Sequence, residues 1–156
     1  MQITVIAVGN KMPSWVDEAF TQYCKRLNQE IKIVLKEIKP VRRTDTVNAH
    51  QGILQEENKI LETIPDNCIL VALDERGKAF RSITFSQQLT QWLADGQNLC
   101  FVIGGADGLG EQIKKRANLL LRLSDMTLPH GLARVLLVEQ IYRAWSILHA
   151  HPYHRE

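Results

Sequence analysis

A glycine-rich segment, residues 104–110 with the sequence GGADGLG, follows an apolar run in the second half of the chain. Glycines at such a place let a ligand lie against the backbone, or permit positive φ in a tight turn. The spacing is not G-x-G-x-x-G and no Gly-Lys-Ser/Thr follows, so the dinucleotide and P-loop patterns are both absent. The segment therefore predicts either a ligand-binding turn or an ordinary strand-to-helix turn with Asp107 as the helix cap.

Four of the five histidines lie towards the C-terminus, at His130, His149, His151 and His154. Imidazole serves as a general base, a metal ligand or a capping group. The run HAHPYH has no cysteine or carboxylate at zinc-site spacing, so we predict no metal site. His130 directly follows Pro129 at the start of a long helical pattern, and capping of that helix is favoured over a catalytic role.

The apolar pattern predicts strands and helices in alternation. Short β-branched or apolar runs predict strands at residues 3–8, 31–38, 69–73, 99–103 and within 119–128. Three- and four-residue spacing predicts helices from Ser14, its N-cap, and over residues 47–64, 85–93 (with Ser86 as a cap), 111–118 and 131–150. A polar turn is expected at residues 74–78.

Alternating strands and helices indicate an α/β fold with a mainly parallel sheet flanked by helices. In such sheets ligands bind at the carboxyl ends of the strands. This rule places Leu73, Gly104 and the segment after residue 122 at one candidate site. The wide apolar arc of the last helix predicts burial on two sides, by the core and by a partner subunit.

The composition is that of one globular domain. The 156 residues carry 19 Lys+Arg against 17 Asp+Glu, a net charge of +2, with 45% hydrophobic residues. So small a charge excludes blanket electrostatic binding of nucleic acid. Three unpatterned cysteines favour a reducing, cytoplasmic compartment. We predict no membrane span, because no apolar run approaches about 20 residues. We predict no signal peptide, because the N-terminal MQITVIAVG lacks a basic region and goes straight into a strand-like pattern.

Three stretches carry a family resemblance. The glycine segment within VIGGADGLG, the stretch LSDMTLPHGLARVLLVEQIYRAWSI and the terminal HPYHRE together resemble the bacterial ribosomal large-subunit methyltransferase H family. These are small members of the SPOUT class of S-adenosylmethionine-dependent RNA methyltransferases. The opening AVGNKMPSWV also matches, so the resemblance covers nearly the whole chain; residues 40–65 contribute little.

The resemblance implies a fold, a partner and a reaction. The fold is a single SPOUT domain over residues 1–156, an α/β knot with a C-terminal trefoil knot, which periodicity could not have indicated. The chain acts as a homodimer. The reaction transfers a methyl group from S-adenosyl-L-methionine to N3 of pseudouridine 1915 in helix 69 of 23S rRNA, in the assembled ribosome. No metal is implied.

The resemblance also implies a donor site. Leu73 would end the strand that floors the adenosine pocket, and Gly104 would offer backbone beside the ligand. The adenine and ribose would lie among main-chain groups and apolar side chains of one loop, formed by Leu123, Ser124, Asp125, Met126, Thr127 and Leu128. An adenine ring needs flat apolar walls and a few fixed polar groups, so the assignment is chemically sensible.

The tail residues Tyr153, His154 and Arg155 are assigned to catalysis on the same basis. We expect them to order over the donor pocket, across the dimer. Tyr153 or His154 would stack on the target base or relay its proton, and Arg155 would hold a phosphate. The alternative is a tail that only packs against its own chain.

Basic residues outside the tail are candidates for RNA contact. Arg42 and Arg43, with Lys36 and Lys39, form the strongest basic patch; the alternative is a solvated loop. Arg134 is a second candidate, for a phosphate or the target base. The cluster at residues 114–116 is expected to be a solvated helix face.

Two other classes of function stay open at this point. One is a SPOUT methyltransferase that acts on another RNA such as tRNA, although no added RNA-binding domain is evident. The other is a non-catalytic nucleotide- or RNA-binding module. A dehydrogenase is disfavoured because the dinucleotide glycines are absent.

Overall fold

A computed structural model describes residues 1–155 as alternating strands and helices, and Glu156 lies outside the described residues. The strands are β1 (Gln2–Val8), β2 (Lys32–Ile38), β3 (Cys68–Ala79), β4 (Asn98–Ile103) and β5 (Leu119–Arg122). The helices are α1 (Ser14–Arg26), α2 (Ala49–Thr63), α3 (Ser82–Ala94), α4 (Glu111–Arg116) and α5 (His130–Leu148).

The five strands form one sheet in the order β2-β1-β4-β3-β5, and every pairing is parallel. Parallel neighbours need crossover helices, which explains why each strand is followed by a helix. The predicted α/β class with a parallel sheet flanked by helices is confirmed. The knot stays a prediction.

Helices cover both faces of the sheet, and each face has its own core. On one face α1, α3 and α5 supply apolar side chains such as Phe20, Leu89 and Ile141. On the other face α2 and α4 supply Ile60 and Ile113. A strand buried on both faces reads as a continuous apolar run rather than an alternating one. This is why the sequence of β1, with six successive buried residues, predicts its position so well.

The strand order creates a natural crevice. The chain leaves β1 through α1 on one face and leaves β4 through α4 on the other, although β1 and β4 are neighbours. Connections that diverge from adjacent parallel strands open a cleft beyond their carboxyl ends. Residue Gly9 follows β1 and Gly104 follows β4, so both lie at this cleft.

Three local predictions are wrong. The expected polar turn at residues 74–78 belongs to β3, which continues to Ala79 after a register shift against β5 between Leu73 and Lys78. Ser14 is the first residue of α1 and Pro13 is its N-cap. Ser86 lies inside α3, which begins at Ser82; its buried hydroxyl donates to the Ala144 carbonyl at 2.7 Å and joins α3 to α5.

The helix after the basic loop begins later than the pattern predicts. Asn48 caps α2 by accepting from the Gln51 N–H, and the Gln51 side chain accepts from the Asn48 N–H in return. This reciprocal capping box fixes the start of α2 and therefore the helix face that its glutamates occupy. Across residues 1–155, no helix is long and apolar enough to cross a membrane.

Candidate functional site

A cavity of about 890 Å³ lies at the carboxyl ends of β1, β3, β4 and β5. Its volume is in the range of small-molecule sites, about 300–1,000 Å³. Seven of the eight residues assigned to the donor line this cavity: Leu73, Gly104, Leu123, Ser124, Met126, Thr127 and Leu128. The structure therefore brings together three segments that are far apart in sequence; that they bind a methyl donor is a proposal.

Asp125 is the exception among the assigned residues. Its side chain is 85% exposed and pairs with Arg122 Nη2 at 3.3 Å, and it is not among the residues that line the cavity. Arg122 itself lines the cavity, and its buried Nε has no hydrogen-bond partner within residues 1–155. That N–H is a donor available to a polar group of a ligand.

The lining fits S-adenosylmethionine in three respects. Leu73, Leu123 and Leu128 supply apolar surface for an adenine ring. The loop at residues 123–129 has no helix or strand, so its main-chain groups are not used in regular secondary structure. The orphaned Arg122 Nε suits the carboxylate of a methionine moiety. Metal-ligating residues do not cluster in threes anywhere in the described part of the chain.

One pair of opposite charges, Asp74 and Lys114, lines the cavity. Lys114 Nζ lies 3.0 Å from Asp74 Oδ2. Burial alone would raise the pKa of Asp74, but the Arg76 N–H and the Lys114 ammonium outweigh it and lower that pKa. The pair keeps the Lys114 charge compensated at the cavity. The sequence had suggested that Lys114 belongs to a solvated helix face, and its pairing with Asp74 at the cavity disagrees with that prediction.

His130 contacts the glycine-rich turn rather than capping its own helix. Pro129 is the N-cap of α5, and no side-chain cap bond is present. His130 Nε2 lies 3.0 Å from Arg134 Nη2, and Nδ1 lies 3.1 Å from the Gly104 carbonyl oxygen. Arginine can only donate, so Nε2 accepts and Nδ1 carries the proton that is donated to Gly104. Both ring nitrogens are occupied, so this imidazole orients the Gly104 carbonyl and is not a free general base.

Arg134 is completely buried, with 0% exposure. Its Nη1 donates to Glu37 Oε2 at 2.9 Å, and its Nη2 reaches the Gly9 carbonyl at 3.4 Å as well as His130. A guanidinium enclosed in this way has no surface to offer an RNA phosphate. The structure therefore places Arg134 behind the cavity lining, where it bonds the lining residues Gly9 and His130, and disfavours the RNA contact predicted for it.

The two arginines of the basic loop differ. Arg42 is exposed. The neighbouring Arg43 donates to Asp107 Oδ2 from Nε at 2.9 Å and to Glu56 Oε1 from Nη2 at 2.9 Å. Asp107 therefore binds a loop arginine and does not cap α4, whose N-cap is Gly110. RNA contact stays a prediction for Arg42, whereas Arg43 is engaged within its own chain.

Sequence reasoning missed two buried glutamates on α2. Glu56 is 4% exposed and pairs with Arg43, and Glu57 is 1% exposed. Glu57 Oε2 accepts from the N–H groups of Gln112 and Ile113 at 3.0 and 3.2 Å, at the start of α4. A carboxylate at a helix N-terminus satisfies otherwise unpaired donors. The only signal in the sequence was a polar run on a helix with few apolar positions, which is typical of a solvated face.

The tail residues pack beside the second half of α5 and do not line the cavity of their own chain. Tyr153 donates to Glu139 Oε1 at 3.0 Å, and the Arg143 guanidinium lies 4.8 Å from its ring centroid. His154 Nδ1 accepts from Arg143 Nη1 at 3.3 Å, and Arg155 is exposed. Burial raises the pKa of Tyr153, and its hydrogen bonds to Tyr23 and Glu139 raise it further. The phenol therefore stays protonated at neutral pH and donates a hydrogen bond.

We predict that Glu37→Gln lowers the free energy of unfolding by about 2–3 kcal/mol, because it leaves the buried Arg134 charge without its counter-charge. This loss of stability is smaller than that for a fully buried ion pair, because the Glu37 side chain is 40% exposed. Denaturant unfolding measures the loss. Lys36→Gln, an exposed charge on the same strand, is the control and should change stability by less than about 0.5 kcal/mol. Equal losses in the two variants would contradict the assignment.

Protonation of His130 should destabilise the protein. Burial lowers the pKa of His130 below 6.5, and the Arg134 charge lowers it further, against the opposing effects of Gly104 and Glu37. Below pH 6.5 the unfolded chain then binds more protons than the folded one, so stability falls as pH falls through that window. His130→Asn retains an N–H for Gly104 and cannot titrate. Its melting temperature should therefore vary less between pH 5 and pH 7 than that of the wild type; parallel curves would refute the prediction.

Comparisons with known proteins agree with this architecture. A family model described as "Predicted SPOUT methyltransferase" matches residues 1–154. A protein of Neisseria meningitidis serogroup C / serotype 2a, named "Ribosomal RNA large subunit methyltransferase H", is 57% identical over 156 residues and 100% of both chains. A protein of Chromobacterium violaceum with the same name is 54% identical, again over 100% of both chains.

Two solved structures share the fold. A methylase family protein from Neisseria gonorrhoeae superposes with a TM-score of 0.53 and 15% identity, covering 90% of this chain and 81% of the other. A methylase family protein from Haemophilus influenzae gives a TM-score of 0.58 and 12% identity, covering 99% and 70%. These identities support the fold alone. The match over residues 1–154, together with full-length relatives above 50% identity, shows that the chain belongs to the SPOUT methyltransferase family.

Proposed function

We propose that this protein transfers a methyl group from S-adenosyl-L-methionine to N3 of a pseudouridine in helix 69 of 23S rRNA, within the assembled ribosome. The observation that carries the proposal is the cavity where Leu73, Gly104 and the loop at residues 123–128 meet. The printed names of the full-length relatives support large-subunit rRNA as the substrate. Activity on ribosomes would place the protein in the cytoplasm.

The pocket residues would hold and orient the donor. S-adenosylmethionine supplies an electrophilic methyl group on sulfur, which is transferred in line to the nucleophile. The protein contributes alignment and exclusion of water. Gly104 offers a carbonyl whose direction is fixed by His130, and Leu73 and Leu128 supply apolar walls. The compensated Asp74–Lys114 pair avoids a bare cation beside the sulfonium.

The acceptor nitrogen carries a proton that must leave, so a base or a water chain is needed. His130 is unsuited to this task because both of its nitrogens are engaged. Tyr153 and His154 are the remaining candidates from the sequence, with Arg155 available for a phosphate. The raised pKa of Tyr153 favours it as a hydrogen-bond donor or stacking partner, and either Tyr153 or His154 would stack on the target base or relay its proton.

One chain cannot complete this site alone. The pocket lies at His130, the first residue of α5, whereas the tail follows Leu148, the last. Tyr153 folds back beside α5 as far as Glu139, which is nine residues and about 14 Å of helix from His130, and the tail does not line the pocket of its own chain. We propose a two-fold homodimer in which the tail of each subunit reaches the pocket of the other. Partly exposed apolar side chains on α5, Leu132 at 40% and Leu148 at 38%, are candidate interface residues.

Deletion of residues 153–156 should reduce methylation of ribosomes at least about 100-fold while changing the donor dissociation constant little, because the tail lies outside the pocket lining. Methyl incorporation and calorimetry measure the two effects. Because the truncated protein could misfold, Arg155→Ala is a second variant that removes only one exposed side chain. It should raise KM for ribosomes. Arg116→Ala removes an exposed arginine of α4 and is its control. Unchanged turnover in both tail variants would reject a catalytic tail.

Mixed dimers test whether the tail acts across the interface. Gly104→Val should distort the pocket, because a Cβ there would meet the Gly108 carbonyl carbon at 2.7 Å and force the glycine-rich turn to move. The chain with the Gly104→Val substitution and the tail-deleted chain are each expected to be inactive alone. Mixing them should restore about a quarter of wild-type activity, since half of the dimers then have one complete site. No restoration in a mixture shown to exchange subunits would place the tail's action within one chain.

Substrate specificity is tested by mass spectrometry of RNA treated with the protein and isotopically labelled donor. We expect one methyl group on the helix 69 pseudouridine of assembled ribosomes, with far less on isolated large subunits and none on tRNA. Modified tRNA would favour the alternative RNA substrate. Donor binding without transfer to any of these RNAs would favour a non-catalytic module.

A further inference from the structure

The loop between β2 and α2 is fastened to the glycine-rich turn by one side chain. Arg43 Nη2 lies 2.8 Å from Asp107 Oδ2 and 2.9 Å from Glu56 Oε1. Its third nitrogen, Nη1, donates to the Val41 carbonyl at 2.5 Å. A guanidinium is suited to this arrangement because its planar fork presents several donors at fixed angles. The loop, the turn and α2 therefore meet at Arg43.

Two glycines make room for this arrangement. A Cβ at Gly52 on α2 would collide with the Arg43 guanidinium, so Arg43 lies directly on bare helix backbone. A Cβ at Gly105 would come within 3.2 Å of Glu56 Oε2. The contact is therefore a packed site with matched surfaces, unlike a chance pairing of two exposed side chains.

The turn that Arg43 contacts is part of the cavity. Gly105, Asp107 and Gly108 all line it. The Gly108 N–H donates to the Gly105 carbonyl at 3.1 Å, and Gly108 has φ of +82°, so the turn depends on a residue without a side chain. Backbone of this kind has many alternative conformations in the absence of restraint. A side-chain contact that restrains the turn would lower the conformational entropy that its backbone loses when a ligand binds.

We propose that Arg43 is a positioning residue for the donor pocket, holding the glycine-rich turn in its binding shape through Asp107 and Glu56. The inference rests on the proposed donor site. It also gives the basic loop a second use: the adjacent Lys39 and Arg42 are exposed, so an RNA phosphate that orders them would also favour the Arg43–Asp107 contact. By thermodynamic linkage, donor binding would in turn order the loop.

Donor affinity is the first test, measured by calorimetry with S-adenosylmethionine. Arg43→Gln and Asp107→Asn should each weaken binding about 10-fold, and the double variant should be no weaker than Arg43→Gln alone, because Arg43→Gln already removes the contact with Asp107. Arg116→Gln removes an exposed arginine of α4 and should leave affinity unchanged. Additive losses, or none in either single variant, would overturn the proposal.

Conservative replacement and turnover separate positioning from loss of fold. Arg43→Lys retains the charge but not the fork, so it should recover only part of the affinity. In methyl transfer, Arg43→Gln should raise KM for the donor with little change in kcat at saturating donor. A variant that loses melting temperature and kcat together, with KM unchanged, would indicate a merely structural role.

Hydrogen exchange tests the coupling directly. Donor should slow exchange at the amides of Thr44 and Val47, which bond each other across the loop and do not line the cavity. In Asp107→Asn this slowing should disappear even at saturating donor. Equal slowing in wild type and variant would refute the coupling. Calorimetry and hydrogen exchange use the donor without RNA, so they test the role of Arg43 independently of turnover. If the wild type binds the donor but methylates no RNA in the turnover assay, the proposed function is refuted and these two measurements still decide the role of Arg43.

Discussion

The buried guanidinium of Arg134 is the interaction on which the arrangement of the site depends. It joins Glu37 at the end of β2 and the Gly9 carbonyl after β1, and through His130 it reaches the Gly104 carbonyl after β4. A charge with no exposure is tolerated only if its partners are held in place, because an uncompensated buried ion costs several kcal/mol. The three strand ends and the start of α5 are therefore fixed relative to one another by a single side chain.

The glycine-rich turn is consequently held from two directions. His130 fixes the Gly104 carbonyl at one end, whereas Arg43 and Glu57 hold Asp107 and the start of α4 at the other. Each group bonds main chain or a turn side chain, which leaves the remaining main-chain groups of the turn for a ligand. A sequence rich in glycine, which by itself has no preferred shape, can in this way be presented to a ligand in one conformation. Such preorganisation increases affinity without adding a contact.

The sequence predicted the parts of this arrangement that follow from local pattern. Double burial gave β1 and β4 continuous apolar runs, and the rule for strand ends was enough to group Leu73 with Gly104. Local pattern could not predict which of two adjacent arginines turns inward. Arg42 and Arg43 have the same chemistry, and their difference arises from Gly52 and Glu56, which are nearby only after folding. The strand character of residues 74–79 was hidden for a similar reason, because polar residues there pair with β5 at the edge of the sheet.

The path of the chain after α5 explains why the proposed catalytic residues of the tail, although singled out in the sequence, do not lie at the cavity of their own chain. α5 carries the pocket at its start, whereas the tail folds back beside its second half and comes no closer along the helix than Glu139, so it stays outside the cavity of its own chain. The contacts of Tyr153 with Glu139 and of His154 with Arg143 give the tail a defined position beside α5, instead of a disordered end. In the proposed dimer, a tail held in this way would be presented to the second copy. Turnover would then depend on dimerisation, whereas donor binding would need only the groups that Arg134 and Arg43 hold within one chain.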